Sequence, residues 1–118
     1  MRQYGFGLIG CGRIARNHLK AVASLDNAQL TAVCDVVDER LAEAKEQYGC
    51  STYDDYREML KNPDIGIVTI CTPSGLHAKI AIDAMNAGKH VLVEKPMAMS
   101  LKEAAAMIVV AEKNKVKL

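Results

Sequence analysis

A glycine-rich turn follows the first hydrophobic run of the chain. After residues 6–9 the sequence continues as G-C-G-R-I-A, with glycines at Gly10 and Gly12 and a small residue at Ala15. The first glycine permits a tight turn, and the second lets backbone N–H groups approach a ligand closely. The small third residue lets the next helix lie against the strand, so that a diphosphate can rest on the helix N-terminus. The turn therefore indicates a dinucleotide site, although similar turns also occur without a ligand.

A carboxylate stands where the second strand is predicted to end. The apolar run 30–34 leads to Asp35, which follows Ala15 at the spacing of about 20 residues typical of the acid that binds the adenosine ribose. Such a carboxylate accepts hydrogen bonds from both ribose hydroxyls and repels a 2′-phosphate. Asp35 therefore favours NAD, and the nearby Arg40 keeps NADP as the less favoured alternative. An aspartate after a strand also serves as a helix cap.

Two further polar segments directly follow apolar runs. Residues 72–74 come after the run 65–71, and residues 94–96 come after the run 90–93. In an open parallel sheet, ligands bind at the carboxyl ends of the strands, near the point where the strand order reverses. Together with the glycine turn and Asp35, these segments predict a single binding edge.

Strands and helices are predicted to alternate along residues 1–118, which form one domain. Apolar runs predict strands, and helical spacing of apolar residues predicts helices. The predicted strands are 4–9, 29–35, 50–53, 65–71 and 90–93, and the predicted helices are 13–25, 38–48, 55–61, 75–87 and one opened by a capping box at 100–103. Residues 116–118 are expected to begin a further strand. This alternation predicts an α/β fold with a doubly wound parallel sheet, the Rossmann dinucleotide-binding architecture.

Composition and charge argue against several classes of function. The 118-residue chain has a formal net charge of +1, which gives no reason to expect nucleic acid or a membrane surface as partner. No apolar run reaches the ~18 residues that span a bilayer, and the chain begins with a strand rather than a signal peptide. The four cysteines lack metal-ligand spacing and favour a reducing compartment. We therefore expect a cytoplasmic domain with no metal, in which Cys34 and Cys71 are buried and Cys11 is the most accessible thiol.

Three motifs together resemble one enzyme family over essentially the whole chain. The glycine turn with His18, the segment C-T-P-S with His77, and the triplet Glu94-Lys95-Pro96 resemble the nucleotide-binding domain of the Gfo/Idh/MocA oxidoreductases. The resemblance implies that Lys95 is catalytic, with an ammonium that orients the substrate hydroxyl and stabilises charge as its proton leaves. The residues it assigns to the cofactor are Gly10, Gly12, Arg13, Ile14, Asp35, Thr72, Pro73, Ser74, His77 and Glu94.

The resemblance also implies what this chain would need as partners. Full enzymes of the family carry a second α/β domain that supplies an Asp and a His for a sugar, polyol or sugar-nucleotide substrate, and often the oligomer interface. We expect residues 1–118 to be the cofactor domain without that C-terminal substrate domain. An unpaired sheet edge, or the surface that the second domain would cover, then predicts self-association and hence a homo-oligomer.

Several alternatives stay open at this point. A stand-alone NAD(H)-binding module would sense redox state without catalysis, and S-adenosylmethionine-dependent methyltransferases also use a glycine-rich first turn. Lys95 argues mildly against the sensor, which needs no ammonium to handle a proton. Among the histidines, His18 is expected to pack in the core and His90 to be structural, whereas His77 either packs at a helix start or lines the pocket.

Overall fold

The computed structural model describes residues 3–118, which form five strands and five α-helices in alternation. The helices follow the strands one by one, and a short 3₁₀ turn (Ser74–Leu76) precedes the fourth helix. The elements are β1 (Tyr4–Ile9), α1 (Ala15–Ala23), β2 (Ala28–Cys34), α2 (Asp38–Tyr48), β3 (Ser51–Tyr53), α3 (Tyr56–Met59), β4 (Ile67–Ile70), α4 (His77–Asn86), β5 (His90–Val93) and α5 (Leu101–Asn114).

The strands form one parallel sheet in the order β3-β2-β1-β4-β5. From the central β1 the chain first builds outward to β2 and β3, and then crosses back to add β4 and β5 on the other side. The predicted doubly wound α/β fold is confirmed. The reversal of strand order lies between β1 and β4, where open sheets of this kind bind their ligands.

Helices cover both faces of the sheet, because successive strand residues point to opposite faces. Leu8 packs on one face with Leu19 of α1 and Leu41 of α2. The next residue, Ile9, packs on the opposite face in a larger cluster that includes Met85 of α4. Strands buried on both faces are continuously apolar, which is why these runs were visible in the sequence.

The observed helix boundaries can be compared with the caps and glycine stops predicted from the sequence. Gly49 ends α2 with φ of +67°, and Ser100 caps α5 by accepting a hydrogen bond from the Glu103 N–H at 3.1 Å. Helix α1 begins at Ala15 rather than Arg13, because the preceding residues belong to the glycine turn. Residues 74–76 form the 3₁₀ turn rather than the start of α4. Helix α1 also ends at Ala23 and α3 at Met59, each two residues before the predicted end, so the starts and the ends were predicted with similar accuracy.

The last residues of the chain run beside β5, but residues 116–118 do not form the further strand that was predicted there. The Val91 N–H donates to the Lys117 carbonyl at 2.9 Å, and the Lys117 N–H donates to His90 Nδ1 at 3.0 Å. His90 therefore has the structural role expected from the sequence. Within residues 3–118, no helix has both the length and the apolarity that a membrane crossing requires.

Candidate dinucleotide-binding site

A cavity of about 1040 Å³ opens at the carboxyl ends of the strands. It lies along the ends of β1, β2 and β4, at the reversal of strand order. The predicted site residues that line it are Gly10, Gly12, Asp35, Thr72 and Pro73. The other predicted residues, Arg13, Ile14, Ser74, His77, Glu94 and Lys95, lie outside its lining.

The two glycines of the turn have different physical roles. Gly10 has φ of +92°, and a Cβ there would lie 2.8 Å from the Cys71 carbonyl carbon and from the Thr72 nitrogen. A side chain at this position would therefore collide with the backbone that follows β4. A Cβ on Gly12 would find its nearest neighbour, Arg40 Nη1, at 4.0 Å. Gly10 is needed for the fold, whereas Gly12 keeps space beside the cavity free.

The N-terminus of α1 follows this turn directly. Among the residues described, no side chain caps the helix. The first N–H groups of a helix lack intrahelical partners, and they carry the positive end of the helix dipole. The uncapped helix start beside Gly12 is therefore suited to a diphosphate.

Asp35 joins the end of β2 to the glycine turn. Its Oδ2 accepts a hydrogen bond from the Cys11 N–H at 2.7 Å, and its Oδ1 accepts one from the Val37 N–H at 2.8 Å. Arg40 Nη1 lies 3.6 Å from Oδ2 on the solvent side. Each carboxylate oxygen can accept a second hydrogen bond. The Asp35 carboxylate therefore orders the turn and still has capacity for two ribose hydroxyls.

The Thr72 hydroxyl has no hydrogen-bond partner among residues 3–118. Its Oγ1 is buried, and no group in the described part of the chain hydrogen-bonds to it. A buried hydroxyl without a partner is costly, and a bound ligand is one way to satisfy it. Thr72 lines the cavity directly beside Gly10, and the donor and acceptor set of the site fits a dinucleotide.

The triplet after β5 is fixed to the glycine-turn helix. His18 Nε2 of α1 donates to Glu94 Oε2 at 2.8 Å, and this contact holds the pKa of the Glu94 carboxyl below its usual range. The expectation that His18 packs in the core is wrong, because its ring is partly exposed and contacts Glu94 just after the carboxyl end of β5. Lys95 is exposed, and the Lys95–Pro96 peptide bond is cis.

His77 is fully enclosed at the start of α4. Its side chain is 1% exposed, with Nδ1 at 2.7 Å from the Pro96 carbonyl oxygen and Nε2 at 2.8 Å from the Thr72 carbonyl oxygen. Of the two roles considered for this residue, the structure favours packing at the helix start. The ring joins the loop after β4 to the loop after β5.

The far side of the cavity contains residues that the sequence analysis did not assign to the site. Residues 54–57 line it directly after β3. Asp55 caps α3 by accepting from the Arg57 N–H, and the Tyr56 hydroxyl donates to Asp83 Oδ2 of α4 at 2.5 Å. Burial, followed by the contact with Asp83, raises the pKa of Tyr56 to about 12. The strand-end argument, extended to β3, would have found these residues.

A second, more polar groove lies between α1 and α2. Its volume is about 560 Å³, and it includes the predicted site residue Arg13. Three more basic side chains, Arg16, Lys20 and Arg40, line the same groove, together with the acidic Glu43. Arg13 therefore belongs to a basic surface beside the glycine turn rather than to the main cavity.

The thiols near the site are weakly acidic. Burial, followed by the negative charge of Asp35, raises the pKa values of Cys11 and Cys34 to about 12, and burial with Glu94 does the same for Cys71. Thiols of this kind are neutral at physiological pH and are poor nucleophiles. Across residues 3–118, no cluster of three or more histidine, cysteine or acidic side chains is arranged to hold a metal ion.

The doubly wound sheet, the glycine turn and the acid that ends β2 define a dinucleotide-binding Rossmann domain. The chain belongs to the Gfo/Idh/MocA oxidoreductase family with an NAD-binding Rossmann fold, whose sequence pattern matches residues 4–118. The resemblance found in the sequence is therefore confirmed. NAD, predicted from Asp35, is the cofactor that the family description names.

Similar proteins include dehydrogenases and a reductase. A myo-inositol 2-dehydrogenase from Thermotoga maritima is 36% identical over 103 residues, which cover 86% of this chain and 31% of the relative. The WlbA dehydrogenase from Bordetella pertussis, solved with NADH and UDP-GlcNAcA, has a TM-score of 0.95 and 37% identity, and the match covers 100% of this chain and 36% of that one. A 3-ketoreductase from Actinomadura kijaniata, solved with NADP and TDP-benzene, has a TM-score of 0.93 and 29% identity over 98% of this chain and 36% of that one. The chain thus spans about a third of the length of these relatives.

Proposed function

We propose that this chain is the NAD-binding part of a dehydrogenase that acts on a secondary hydroxyl of a sugar, polyol or sugar nucleotide. The observation that carries the proposal is the meeting of Gly12, Asp35 and the unpartnered Thr72 hydroxyl at one cavity on the switch point of the sheet. The relatives described above are dehydrogenases and a reductase, which favours an enzyme over a redox sensor.

The cofactor would extend along the carboxyl edge of the sheet. Asp35 would accept hydrogen bonds from the adenosine ribose, and the backbone from Gly10 to Ile14 would hold the diphosphate at the start of α1. Arg13 would add positive charge beside it. The segment 72–74 and the triplet that begins at Glu94 would border the nicotinamide, because β4 and β5 lie on the side of β1 away from Asp35.

Lys95 would act on the substrate hydroxyl. When bound, NAD would supply the acceptor for the hydride of the substrate carbinol, and the hydroxyl proton would pass to a base. The exposed ammonium of Lys95 would hold the substrate oxygen and stabilise its developing negative charge. The base would come from outside this chain, because the resemblance assigns that role to residues of the second domain.

Calorimetric titration of the 118-residue chain tests the cofactor assignment. We expect NAD to bind more tightly than NADP, and Asp35→Ala to weaken NAD binding and narrow the difference between the two cofactors. Asp26→Ala is the matched control, because Asp26 lies in the turn before β2 at the opposite edge of the sheet. Urea unfolding of each variant separates lost binding from lost folding. No heat at millimolar NAD with a folded protein would overturn the proposal.

We further infer that the protein self-associates and resides in the cytoplasm. Strand β5 ends one side of the sheet, with Leu92 half exposed, and α5 exposes Leu101, Ile108 and Val109. The last residues of the chain cover part of this edge, because the Val91 N–H donates to the Lys117 carbonyl, so the exposed apolar side chains of β5 and α5 are what favour association with a second copy. The four cysteines are free thiols, which suits a reducing compartment. Sedimentation at increasing concentration tests the first inference, and a strict monomer at every concentration would contradict it.

A further inference from the structure

The groove between α1 and α2 meets the main cavity beside the acid that ends β2. Gly12 and Arg40 line both spaces. Arg40 Nη1 lies 3.6 Å from Asp35 Oδ2, and it lies 4.0 Å from the position that a Cβ on Gly12 would occupy. A group carried on a ribose hydroxyl at Asp35 would therefore be within reach of Arg40 and of the groove.

The groove has an excess of positive charge. Arg13 precedes α1, and Arg16 and Lys20 follow it at spacings of three and four residues, which places all three on one side of the helix. Across residues 3–118, no carboxylate lies within ion-pair distance of these three side chains. Glu43 of α2 is the acidic member of the lining. Cations without a carboxylate partner attract an anion to this surface.

Arg40 has donors suited to a phosphate group. Its contact with Asp35 is an ion pair at 3.6 Å, which is longer than a hydrogen bond, and its side chain is half exposed. A guanidinium carries five N–H donors in a planar fork, and this fork matches two oxygens of a phosphate. Arg40 can therefore donate to a phosphate in the groove while its charge stays beside Asp35.

The Asp35 carboxylate opposes a phosphate at this place, and its neighbours reduce that opposition. Its two oxygens accept hydrogen bonds from the Cys11 and Val37 N–H groups, and Arg40 offsets its charge. Like charges at a few ångströms repel one another, and a neighbouring cation weakens the repulsion. The ribose site therefore favours an unmodified hydroxyl, whereas the groove favours a phosphorylated one.

We propose that the groove between α1 and α2 is a phosphate site that extends the adenosine end of the cofactor site. Arg40 would be the residue that sets how well a ribose 2′-phosphate is accepted, and Arg16 and Lys20 would attract it from further along the groove. The domain would then bind NADP as well as NAD, with NAD the tighter of the two. This inference rests on the proposed function of the chain.

Calorimetric titration of the 118-residue chain with NAD and NADP tests the groove. In Arg40→Gln we expect NADP affinity to fall about tenfold, because a charged contact is lost, while NAD affinity changes far less. The double variant Arg16→Gln with Lys20→Gln should weaken NADP about twofold to fivefold and leave NAD unchanged. Lys102→Gln is the matched control, because it removes an exposed positive charge at the start of α5.

The salt dependence of binding is a second measurement on the wild-type chain. Exposed charges are screened within about 10 Å at 0.1 M salt. We therefore expect the affinity for NADP to fall more steeply than that for NAD between about 0.05 and 0.5 M salt. Equal salt dependence of the two cofactors would contradict a phosphate contact in the groove.

Smaller ligands distinguish a ribose-linked phosphate from a free phosphate ion. Adenosine 2′,5′-bisphosphate and 5′-AMP differ by the same phosphate as NADP and NAD, so their affinity ratio should change in the same variants. Inorganic phosphate by itself should give no heat at millimolar concentration. Heat from inorganic phosphate that disappears in Arg40→Gln, with an unchanged NADP affinity in that variant, would overturn the ribose-linked assignment.

The outcomes separate this inference from the proposed function. NAD binding without NADP binding at low salt, or an unchanged ratio of the two affinities in folded Arg40→Gln, would overturn the groove site alone. Failure of a folded wild-type chain to bind either cofactor would overturn the proposed function and the groove site with it. Urea unfolding of each variant shows whether a lost affinity reflects lost folding, and the salt dependence needs no variant.

Discussion

His18 and Glu94 are 76 residues apart in the sequence and lie 2.8 Å apart between Nε2 and Oε2. The pair joins α1, which starts at the glycine turn, to the strand that ends at Lys95. The neighbouring Lys95 backbone N–H further lowers the pKa of the Glu94 carboxyl. Two of the three motifs that carry the family resemblance are therefore in direct contact.

Replacing His18 should raise the pKa of Glu94. In His18→Gln we expect the carboxyl to titrate closer to its ordinary range, because the amide that replaces the imidazole carries no positive charge and donates only a neutral hydrogen bond. A carboxyl with a lowered pKa contributes stability above its unfolded pKa and loses that contribution as the pH falls through the lowered value. The stability difference between wild type and variant should therefore shrink in acid.

Carbon-13 spectra of the glutamate side chains follow the Glu94 titration directly. His90→Gln serves as the control, because His90 contacts the Lys117 backbone on the far side of β5. An unchanged Glu94 titration in folded His18→Gln would show that the pair has no electrostatic effect.

Alanine at Gly10 should lower the stability of the fold, whereas alanine at Gly12 should mainly weaken NAD binding. Gly10→Ala places a Cβ at φ of +92° and 2.8 Å from backbone atoms, so we expect a loss of stability of about 1–3 kcal/mol. Gly12→Ala has space for its methyl group and should leave stability nearly unchanged while it weakens NAD binding. Urea unfolding and calorimetry measure the two effects. Equal destabilisation by both substitutions would contradict this assignment of roles.

Lys89 hydrogen-bonds to the turn before β4, and replacing it should lower the free energy of unfolding. It is 7% exposed, and its Nζ donates to the carbonyl oxygens of Asn62 at 2.9 Å and Ile65 at 2.7 Å. Lys89→Met leaves these acceptors without their donor, which should cost about 1–3 kcal/mol in urea unfolding. Lys102→Met, on the exposed start of α5, is the matched control and should have little effect.

The pH dependence of the Lys89 effect has a defined sign. Burial lowers the pKa of Lys89, so the unfolded chain binds more protons than the folded one between the lowered value and about 10.4. Wild type should therefore gain stability relative to Lys89→Met as the pH rises through that window. A constant or narrowing difference would contradict the burial effect.

Tyr56 should be a late-titrating tyrosine. Its pKa is raised to about 12 by burial and by the contact with Asp83, so the neutral phenol stabilises the fold. This contribution is complete below about pH 10 and is lost as the pH rises towards the raised value. In Asp83→Asn, ultraviolet titration should show Tyr56 ionising earlier. Tyr53→Phe is the control. It removes a phenol that contacts Asn62 and not Asp83, so it should leave the ionisation of Tyr56 unchanged.

Local sequence signals predicted the elements and much of the binding edge. Continuous apolar runs are required of strands buried on both faces, so their positions were visible without a structure. Gly10 and Gly49 adopt positive φ, which side chains disfavour, and Ser100 caps the helix that it was predicted to begin. Each of these signals acts within a few residues, through backbone sterics or one local hydrogen bond.

Tertiary structure decided which distant groups meet. The alternation of elements indicated a parallel sheet, but the strand order, which places β4 beside β1, is what brings Thr72 next to Gly10 of the glycine turn. The contacts of His18 with Glu94 and of His77 with two loops depend on how α1 and α4 dock on that sheet. Sequence determined where the backbone turns and what it buries, because those are local and hydrophobic constraints. The partners of buried and half-buried polar groups were decided by the packed fold, because they come from segments far apart in the chain.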